Sequence, residues 1–460
     1  MRHRAVLLLA GLLAGGFPAL AVPAVSAPGG PAGAAGSAVS ARLAPPVVTI
    51  GEPSVLVAQV APVTAGRDLS VQVLESGAWT TLGTAQTDAT GRYLLPLDTS
   101  VPGVRSLRVV ASRQGSLPRV VSAVVTSKVY SSASCSPKLA PVDPAATPEA
   151  VCLAARLDRW RAARLMAVGQ QLNVSNQDYL TPLTDLADLR VGVVGFDLEE
   201  LAAGETYQFA NPPLQNLLRL AQEGAVLTAS WHARNPHTSG PATDRSWHDL
   251  GALLDASTPQ AQAFWADFDA KLELFRRLQT GDEGAYPPAA VVFRPFHEAN
   301  GGFFWWGKPD PTTYRRVWAT MQARAWAAGV HNILWAYSFN LHTSGVRDPA
   351  TLVPRHVDLA GLDSYDPEGT GNDADRYSLD GYAEVHRKVA RMTITEAGPH
   401  GSLDGSWNPA AITRKVRHEG VTPAWAMLWF DDSTGKKQIS SLSGGRAWLR
   451  SCPNGYCYLG

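Results

Sequence analysis

Apolar runs of about eight residues recur through the last two-thirds of the chain, and amphipathic stretches separate them. Eight such runs are present, each apolar at its start and polar or aromatic at its end: residues 164–171, 191–197, 225–232, 290–298, 332–339, 357–365, 391–398 and 424–431. The stretches between them, such as residues 258–280 and 311–329, have the length and spacing of helices. Strands that alternate with helices in this way predict a (β/α)8 (TIM) barrel, so the fold class is α/β.

The sequence before the predicted barrel has a different spacing of apolar positions. Between residues 47 and 128, runs of about six residues alternate apolar and polar positions and are separated by turn residues. This pattern predicts a small all-β, immunoglobulin-like sandwich domain. Trp79 and Tyr93 are expected in its core, and a spacer or stabilising role is favoured over a binding role.

The remaining segments are defined by composition. Residues 1–27 have a basic start, an interrupted apolar run and small residues at the possible cleavage points after Ala21 and Ala27, which predicts a signal peptide and a secreted, extracellular protein. Residues 28–46 are rich in Ala, Pro, Gly and Ser and are expected to be a disordered leader. Residues 129–150 are expected to be a linker, and the barrel domain is assigned to residues 151–460.

The charge balance limits the partners. Forty Lys and Arg residues offset forty Asp and Glu residues, so nothing in the net charge favours nucleic acid or an anionic membrane. A neutral polymer, such as a polysaccharide, is the simpler expectation. We expect a monomer that contacts no membrane once the signal peptide is removed.

Four cysteines are present, at positions 135, 152, 452 and 457, and none has the C-x-x-C spacing of a metal site. An even number in an exported chain favours disulfide bonds. Cys135 with Cys152 and Cys452 with Cys457 is one of three possible pairings, and the sequence alone does not choose among them.

The ends of the eight apolar runs carry the candidate chemistry, because strand ends of a (β/α)8 barrel line the active site. They supply Asp197, Trp231, His232, His297, Glu298, Tyr337, Asp363, Tyr365, Glu396, Trp429 and Asp431. Two carboxylates that flank a sugar bond are the usual apparatus of glycoside hydrolysis. Glu298 and Glu396 are the favoured pair, and Asp197 with Asp363 is a second one.

The stretch Arg294-Pro295-Phe296-His297-Glu298, followed by Asn300-Gly301-Gly302 and Trp305-Trp306-Gly307, resembles the signature of the family 26 glycoside hydrolases, best known as endo-β-1,4-mannanases. The resemblance continues in order along the barrel, through Ser230-Trp231-His232, Gly361-Leu362-Asp363-Ser364-Tyr365, Thr395-Glu396-Ala397-Gly398 and Trp429. It implies an enzyme that hydrolyses β-mannan with retention of configuration and without a cofactor or metal.

The resemblance also implies residue roles. Glu298 is expected to be the general acid/base and Glu396 the nucleophile. Glu298 must hold a proton to act as the acid, so we expect burial to raise its pKa. The expected substrate-binding residues are Trp231, His232, Arg294, His297, Phe303, Trp305, Trp306, Tyr365 and Trp429, with Trp247 as a weaker addition.

Three of these residues have more specific expectations. Tyr365 is expected to donate a hydrogen bond to the nucleophile carboxylate. Arg294 is expected either to supply a cation to Glu396 or to form a structural ion pair. Trp429 is expected to lie under the sugar at the cleaved bond, where an aromatic face covers C–H groups.

The sequence also raises alternatives to a mannan-cleaving enzyme. His297-Glu298 would begin an H-E-x-x-H zinc motif, but position 301 is glycine. The scaffold also suits mixed-linkage β-glucan or β-1,3-xylan, and a non-catalytic carbohydrate-binding protein is a further alternative. Phe303, where relatives commonly carry tryptophan, and Phe430, where some carry a basic residue, bear on the choice of substrate.

Overall fold

The amino-terminal strands alternate buried and exposed residues, as expected for antiparallel sheets that bury one face. The computed structural model of the protein describes residues 37–50, 52–130, 135–172, 191–199, 213–281, 286–367, 377–452 and 455–460. The strands before the first helix are β1 (Ala38–Ala44), β2 (Val47–Thr49), β3 (Val55–Ala61), β4 (Asp68–Glu75), β5 (Ala78–Gln86), β6 (Arg92–Pro96), β7 (Gly103–Ala111), β8 (Val120–Val121) and β9 (Val125–Tyr130).

These strands form two sheets that pack as a sandwich. One sheet has the order β1-β3-β6, and the other has the order β2-β9-β7-β4-β5 with β8 paired to β7. Leu56 and Val60 from the first sheet meet Val71 and Val109 from the second in one buried cluster. The all-β architecture therefore matches the sequence prediction.

Two details of the sandwich correct the sequence analysis. Residues 38–44 were assigned to the disordered leader, but they form β1 and pair antiparallel with β3, so that assignment is wrong for this segment. Trp79 pairs with Leu74 across β4 and β5, and Leu74 is 40% exposed. Trp79 therefore lies on the outer face of its sheet, where the Arg108 guanidinium is 4.1 Å from the ring centroid, and it is not a core residue. The predicted signal peptide of residues 1–27 lies outside the described residues.

Among the described residues, eight parallel strands close into a barrel. They are β10 (Leu165–Gln171), β11 (Val193–Asp197), β12 (Val226–Ser230), β13 (Val291–Arg294), β14 (Ile333–Asn340), β15 (Leu359–Asp366), β16 (Met392–Pro399) and β17 (Trp425–Leu428). Each pairs with the next along the chain, and β10 pairs with both β11 and β17, which closes the ring. A short strand, β18 (Tyr456–Tyr458), pairs antiparallel with the start of β10. All eight predicted strands are confirmed.

The described helices are α1 (Pro148–Ala162), α2 (Pro213–Gln222), α3 (Pro259–Thr280), α4 (Pro311–Ala327), α5 (Tyr382–His386), α6 (Ala410–His418) and α7 (Gly445–Arg450), with short 3-10 turns at Leu250–Leu254 and Pro349–Thr351. Three of the helices begin with the same device. Thr147, Thr258 and Asp310 each cap a backbone N–H with the side chain, and proline follows at the first helical position. No described helix has the length and hydropathy needed to cross a membrane.

The segment before α1 is not a free linker, in contrast to the sequence expectation. Cys135 is bonded to Cys152 in α1, and the Val142 N–H donates to Asp358 Oδ1 at 2.8 Å. The second disulfide joins Cys452 to Cys457. Of the three possible pairings, the local one is present.

The sandwich packs against the end of the barrel where the strands begin. Val55 and Val57 of β3 share a buried cluster with Trp160 of α1 and with Tyr456 and Tyr458 of β18. The amino-terminal residues of several barrel strands, such as Leu165, Val226 and Leu334, belong to the same cluster. Strand ends that carry the candidate chemistry therefore face away from the sandwich.

Candidate active site

Two glutamates meet at the carboxyl end of the barrel. Glu396 lies within β16, and Glu298 follows β13 by four residues in a tight loop. Asp363 of β15 lies beside them, and one carboxylate oxygen from each of the three residues lies within 4.8 Å of the other two. The structure thus brings together the favoured carboxylate pair.

A register shift aims Glu396. Leu362 pairs with Ile394, but the next residue, Asp363, pairs with Glu396, so Thr395 is an extra residue in β16. Such a bulge re-aims the side chains that follow it. Thr395 donates its hydroxyl hydrogen to Asp363 Oδ1 at 2.7 Å, which fixes the bulge against the neighbouring strand.

Glu396 is held at both oxygens. Arg294 Nη2 donates to Glu396 Oε1 at 3.0 Å, and Tyr365 Oη donates to Glu396 Oε2 at 2.9 Å. Arg294 is fully buried, so its guanidinium acts on the carboxylates and is out of reach of a polysaccharide. The assignment of Arg294 as a substrate-binding residue is therefore corrected, and the cation it supplies to Glu396 is present.

Asp363 lies behind the glutamates. It is fully buried and accepts hydrogen bonds from Ser338 (2.6 Å) and Thr395 (2.7 Å), while Arg294 Nη1 lies 3.7 Å away. Burial and the nearby charge of Glu396 raise the pKa of Asp363 well above its usual range. Asp363 therefore supports the site from behind and does not form a reacting pair with Asp197.

Glu298 is partly enclosed. Its backbone has a φ of 54°, and its N–H donates to Ser338 O at 3.0 Å. Asn340 Nδ2 donates to Glu298 Oε1 at 2.9 Å. Burial, then the charge of Glu396, raises the pKa of Glu298 to about 7, the direction expected from the sequence. A carboxyl with this pKa can hold a proton near neutral pH and also release it.

Two histidines and a buried aspartate stand beside the glutamates. His232 Nδ1 lies 2.8 Å from Asp197 Oδ2, and His232 Nε2 lies 3.2 Å from His297 Nε2. The His232 side chain is 29% exposed, whereas His297 is buried. The His232 ring is therefore partly accessible, but both of its nitrogens face protein partners, and His297 acts mainly through its neighbours.

The aromatic residues divide into exposed and buried groups. Phe303 is 49% exposed, whereas Trp429 is 9% exposed, with its ring centroid 6.0 Å from that of His232 at the barrel mouth. Trp231 is 1% exposed and stacks on Phe264, so it is a core residue and its assignment to substrate binding is wrong.

Trp305 and Trp306 are likewise fully buried, and their assignment as substrate-binding residues is also wrong. Trp305 Nε1 donates to Ala233 O at 2.9 Å, and Trp306 Nε1 donates to His297 O at 2.8 Å. These indoles fix the loop that carries Glu298. The weaker candidate, Trp247, is half-buried and stacks on His237.

Within the described residues, Glu298, Asp363 and Glu396 are the acidic groups close enough to share a cation. The Arg294 guanidinium already contacts Glu396 and Asp363 and serves as the cation of this cluster. The arrangement suits acid/base and nucleophilic chemistry by two carboxyl groups.

Sequence reasoning missed Asn340. Asn340 directly follows the apolar run of β14, but the aromatic Tyr337 had marked the end of that strand. Tyr337 is buried and donates to Pro349 O at 2.8 Å, so it has a structural role. Asn300 Nδ2 donates to Asn340 O and its Oδ1 accepts from the Asn340 N–H, which links Asn340 to the motif after Glu298.

Comparison with known proteins places this geometry in context. The sequence model of glycosyl hydrolase family 26 matches residues 142–448. A mannan endo-1,4-beta-mannosidase of Bacillus subtilis is 28% identical over 230 residues, which cover 46% of this chain and 58% of the relative. One from Thermothelomyces thermophilus is 28% identical over 184 residues, 37% of this chain and 36% of the relative. The chain thus spans less than two-thirds of the length of these relatives.

Solved structures show the same fold. The catalytic domain of a Bacillus sp. JAMB-750 family 26 endo-beta-1,4-mannanase superposes with a TM-score of 0.56 at 20% identity, covering 68% of this chain and 92% of that domain. A family 26 beta-mannanase from Bacteroides ovatus gives 0.51 at 22% identity, covering 66% of this chain and 92% of that one. At these identities the likeness establishes the barrel fold alone.

Proposed function

The chain belongs to glycosyl hydrolase family 26, and from this premise we propose that it is a secreted, retaining endo-β-1,4-mannanase. It would hydrolyse internal β-mannosidic bonds of mannan, galactomannan or glucomannan. The relatives named as mannan endo-1,4-beta-mannosidases support the substrate. The observation that carries the proposal is the pair Glu298 and Glu396, whose nearest oxygens lie within 4.8 Å, because retaining enzymes hold their carboxyl groups about 5 Å apart.

In the first half-reaction, Glu396 attacks the anomeric carbon while Glu298 gives its proton to the leaving oxygen. The bond from the anomeric carbon to that oxygen breaks, and an ester between the sugar and Glu396 forms. Arg294 and Tyr365 hold both oxygens of Glu396, which limits the carboxylate to one orientation. The pKa of Glu298 of about 7 leaves it protonated in slightly acidic solution.

In the second half-reaction, the same residues reverse their roles. Once Glu396 is esterified its negative charge is gone, so one cause of the raised pKa of Glu298 disappears. Glu298 then ionises, takes a proton from water, and the water oxygen attacks the anomeric carbon. Glu396 leaves as a carboxylate, and two inversions give net retention.

The substrate would lie across the barrel mouth. Trp429 provides the aromatic surface beside the sugar that is attacked, and the exposed part of the His232 ring lines the same space. Phe303 follows Glu298 by five residues and is exposed, so it is placed to support the leaving part of the polysaccharide.

Export is part of the proposal. Both cysteine pairs form disulfides, and disulfides persist in oxidising compartments outside the cytosol. The predicted signal peptide of residues 1–27 would be removed after Ala21 or Ala27. Sequencing the amino terminus of protein recovered from the culture medium tests this, and protein retained in cells with residues 1–27 intact would contradict it.

The substrate is tested by measuring reducing ends released from linear mannan, mixed-linkage β-glucan and β-1,3-xylan under one condition. Release from mannan supports the proposal. Release only from glucan or xylan would keep the glutamate roles and overturn the substrate. The configuration of the first product, followed by proton NMR, should be β, and an initial α product would exclude the retaining mechanism.

Glu298→Ala separates an enzyme from a binding protein. We expect turnover to fall by about 100- to 10,000-fold with folding and mannan binding preserved, because one group serves as acid and base. Asp143→Asn, at the other end of the barrel, is the control that should keep turnover. A wild-type protein that binds mannan without cleaving it would support the non-catalytic alternative.

A further inference from the structure

Asp197 is a buried carboxylate that makes no direct contact with the glutamate pair. It ends β11 and is 1% exposed. Its oxygens accept hydrogen bonds from the Ser230 hydroxyl (2.9 Å), the Glu199 N–H (3.0 Å) and the His232 N–H (3.0 Å), and lie 2.8 Å from His232 Nδ1. This many donors converge only on a charged carboxylate. Asp197 therefore requires a proton on His232 Nδ1.

The other nitrogen of His232 faces a second imidazole. His232 Nε2 and His297 Nε2 lie 3.2 Å apart, so one proton must lie between them. His297 Nδ1 is buried and has no hydrogen-bond partner among the described residues. Two states satisfy this geometry. Either His232 carries both of its protons and His297 carries its proton on Nδ1, or each ring is neutral and His297 carries its proton on Nε2.

We propose that Asp197 is a positioning residue, which holds His232 as an imidazolium that donates to His297 and places a positive charge beside the glutamate pair. The inference rests on the proposed hydrolytic function, since the charge acts on Glu298. It gives a task to a strand-end carboxylate that touches neither the substrate nor the reacting glutamates.

The surrounding charges favour the imidazolium state. The charged and titratable groups that face His232 are Asp197 from β11, Arg294 from β13, His297 and Glu298 from the loop after β13, and Glu396 from β16. Burial opposes a charge on His232, but Asp197 and then Glu396 outweigh it, and the pKa of His232 is raised. Burial and the neighbouring His232 lower the pKa of His297, so that ring remains neutral.

Loss of the charge removes one proton from the pair. His297 Nδ1 is left without its proton, and the proton between the rings moves from His232 Nε2 to His297 Nε2. The pair then carries no charge, and His232 still donates from Nδ1 to Asp197. The number of protons falls by one, and no other group is required.

The charge has a consequence for Glu298. A positive imidazolium lowers the pKa of Glu298, which burial and Glu396 raise to about 7. Glu298 must release its proton in the second half-reaction, so a cation beside it keeps the carboxyl from becoming too weak an acid. Asp197 thus affects the pKa of Glu298 through His232, without contacting Glu298 itself.

Asp197→Asn tests the proposal through the pH profile. Asparagine keeps the shape but removes the charge that holds His232 as a cation. We expect kcat/KM to fall by about 10- to 100-fold, the effect of losing one hydrogen bond to a charged group. The alkaline limb of kcat/KM should move to higher pH, because Glu298 loses a neighbouring cation. A lower rate with the limb at or below its wild-type position would overturn the proposal.

Asp143→Asn is the matched control. Asp143 is also buried, and its Oδ2 lies 2.8 Å from His331 Nδ1 at the opposite end of the barrel. This variant loses the same kind of pair, so it should lower stability and leave the pH profile unchanged. A shift of the alkaline limb in this control would assign the effect to general destabilisation.

A measurement on the wild-type protein is independent of folding of the variant and of activity. In protein labelled with 15N-histidine, His232 should show both ring nitrogens protonated at pH 6.5, and His297 should be a neutral ring protonated at Nδ1. His232→Gln and His297→Gln assign the signals. A neutral His232 at pH 6.5 would overturn the inference even in an active mannanase. A charged His232 in a protein that cleaves none of the three polysaccharides would leave the charge arrangement intact and refute the proposed function.

Discussion

In the proposed mechanism Glu298 has two tasks, and its neighbours act on its pKa in both directions. Burial and Glu396 raise the pKa to about 7, while the Asn340 amide, His232 and Arg294 oppose the rise. The carboxyl must be protonated in the free enzyme to act as an acid. Activity should therefore be retained below pH 7 and lost as pH rises through about 7, and kcat/KM measured from pH 4 to 9 checks this.

Asn340→Ala should raise the pKa of Glu298. It removes the hydrogen bond to Glu298 Oε1, which favours the carboxylate form. The alkaline limb of kcat/KM should therefore move to higher pH. An unchanged limb in a folded variant would show that Asn340 does not act on the acid/base residue.

Tyr365 is expected to affect turnover more than binding. Tyr365→Phe removes the donor to Glu396 Oε2 and should lower kcat by about 100-fold, in the range for loss of one preorganised donor. Steady-state kinetics on a mannan oligosaccharide measures this effect, with KM changed less than kcat.

Tyr337→Phe is the control for that variant. It also removes one buried hydroxyl, but its partner is the carbonyl of Pro349, away from the glutamates. We expect about 1–3 kcal/mol lower stability and wild-type kcat. If Tyr337→Phe and Tyr365→Phe lowered kcat equally, the hydrogen bond from Tyr365 to Glu396 would not explain the loss.

The loop after β13 is the element that converts a barrel strand into a site. Phe296 and Glu298 both have positive φ, an uncommon conformation for residues with side chains. The buried indoles of Trp305 and Trp306 compensate by donating to backbone carbonyls at Ala233 and His297. This explains why charged residues and consecutive aromatics are neighbours in the sequence.

Gly307 tests how tightly that loop is packed. A Cβ at this position would lie 2.8 Å from Gly301 O and 3.0 Å from Phe304 O, both backbone atoms. Gly307→Ala should therefore destabilise the protein by about 1–3 kcal/mol and lower kcat by shifting Glu298. Thermal unfolding and steady-state kinetics measure the two effects.

Gly302→Ala is the matched control within the same loop. A Cβ there meets nothing closer than the flexible end of Lys308, at 3.6 Å. Stability and kcat should stay near the wild-type values. If both variants lost activity equally, packing at Gly307 would not be the cause.

At the scale of the whole molecule, the sandwich covers the barrel end opposite the site. Besides the shared apolar cluster, Glu52 pairs with Arg159 of α1, and the Arg42 guanidinium lies 4.1 Å from the centroid of the Tyr458 ring. These contacts join the sandwich to the barrel, and the stabilising role expected from its sequence stays a prediction.

Glu52→Ala should separate stability from activity. It leaves Arg159 without its carboxylate partner at a largely buried position, which should cost about 1–3 kcal/mol. The melting temperature should fall while kcat stays unchanged, because the site lies at the other end of the barrel. Glu75→Ala removes an exposed carboxylate from the same sandwich and should change neither. A fall in kcat without a fall in melting temperature would indicate coupling between the two ends.

The sequence by itself determined the barrel and its carboxylate pair. Strands buried on both faces must be apolar, and their ends must carry the polar groups that a site needs, so strand positions and Glu298 and Glu396 follow from local pattern. The resemblance around these residues also predicted Tyr365 as a donor to Glu396, and it left Arg294 either as the cation of Glu396 or as part of a structural ion pair. Helix starts such as Thr147-Pro148 are equally local, because a cap involves only adjacent residues.

Tertiary structure alone decided which side chains face solvent and which pair across strands. Trp231 and Trp429 both follow strand ends, yet Trp231 stacks on Phe264 in the core whereas Trp429 lies beside His232 at the barrel mouth, and no local pattern distinguishes the two. The bonds from Asn340 to Glu298 and from Asp197 to His232 join residues 42 and 35 positions apart. Such contacts depend on strand order and register, and these are set by the closure of the barrel, a property of all eight strands together.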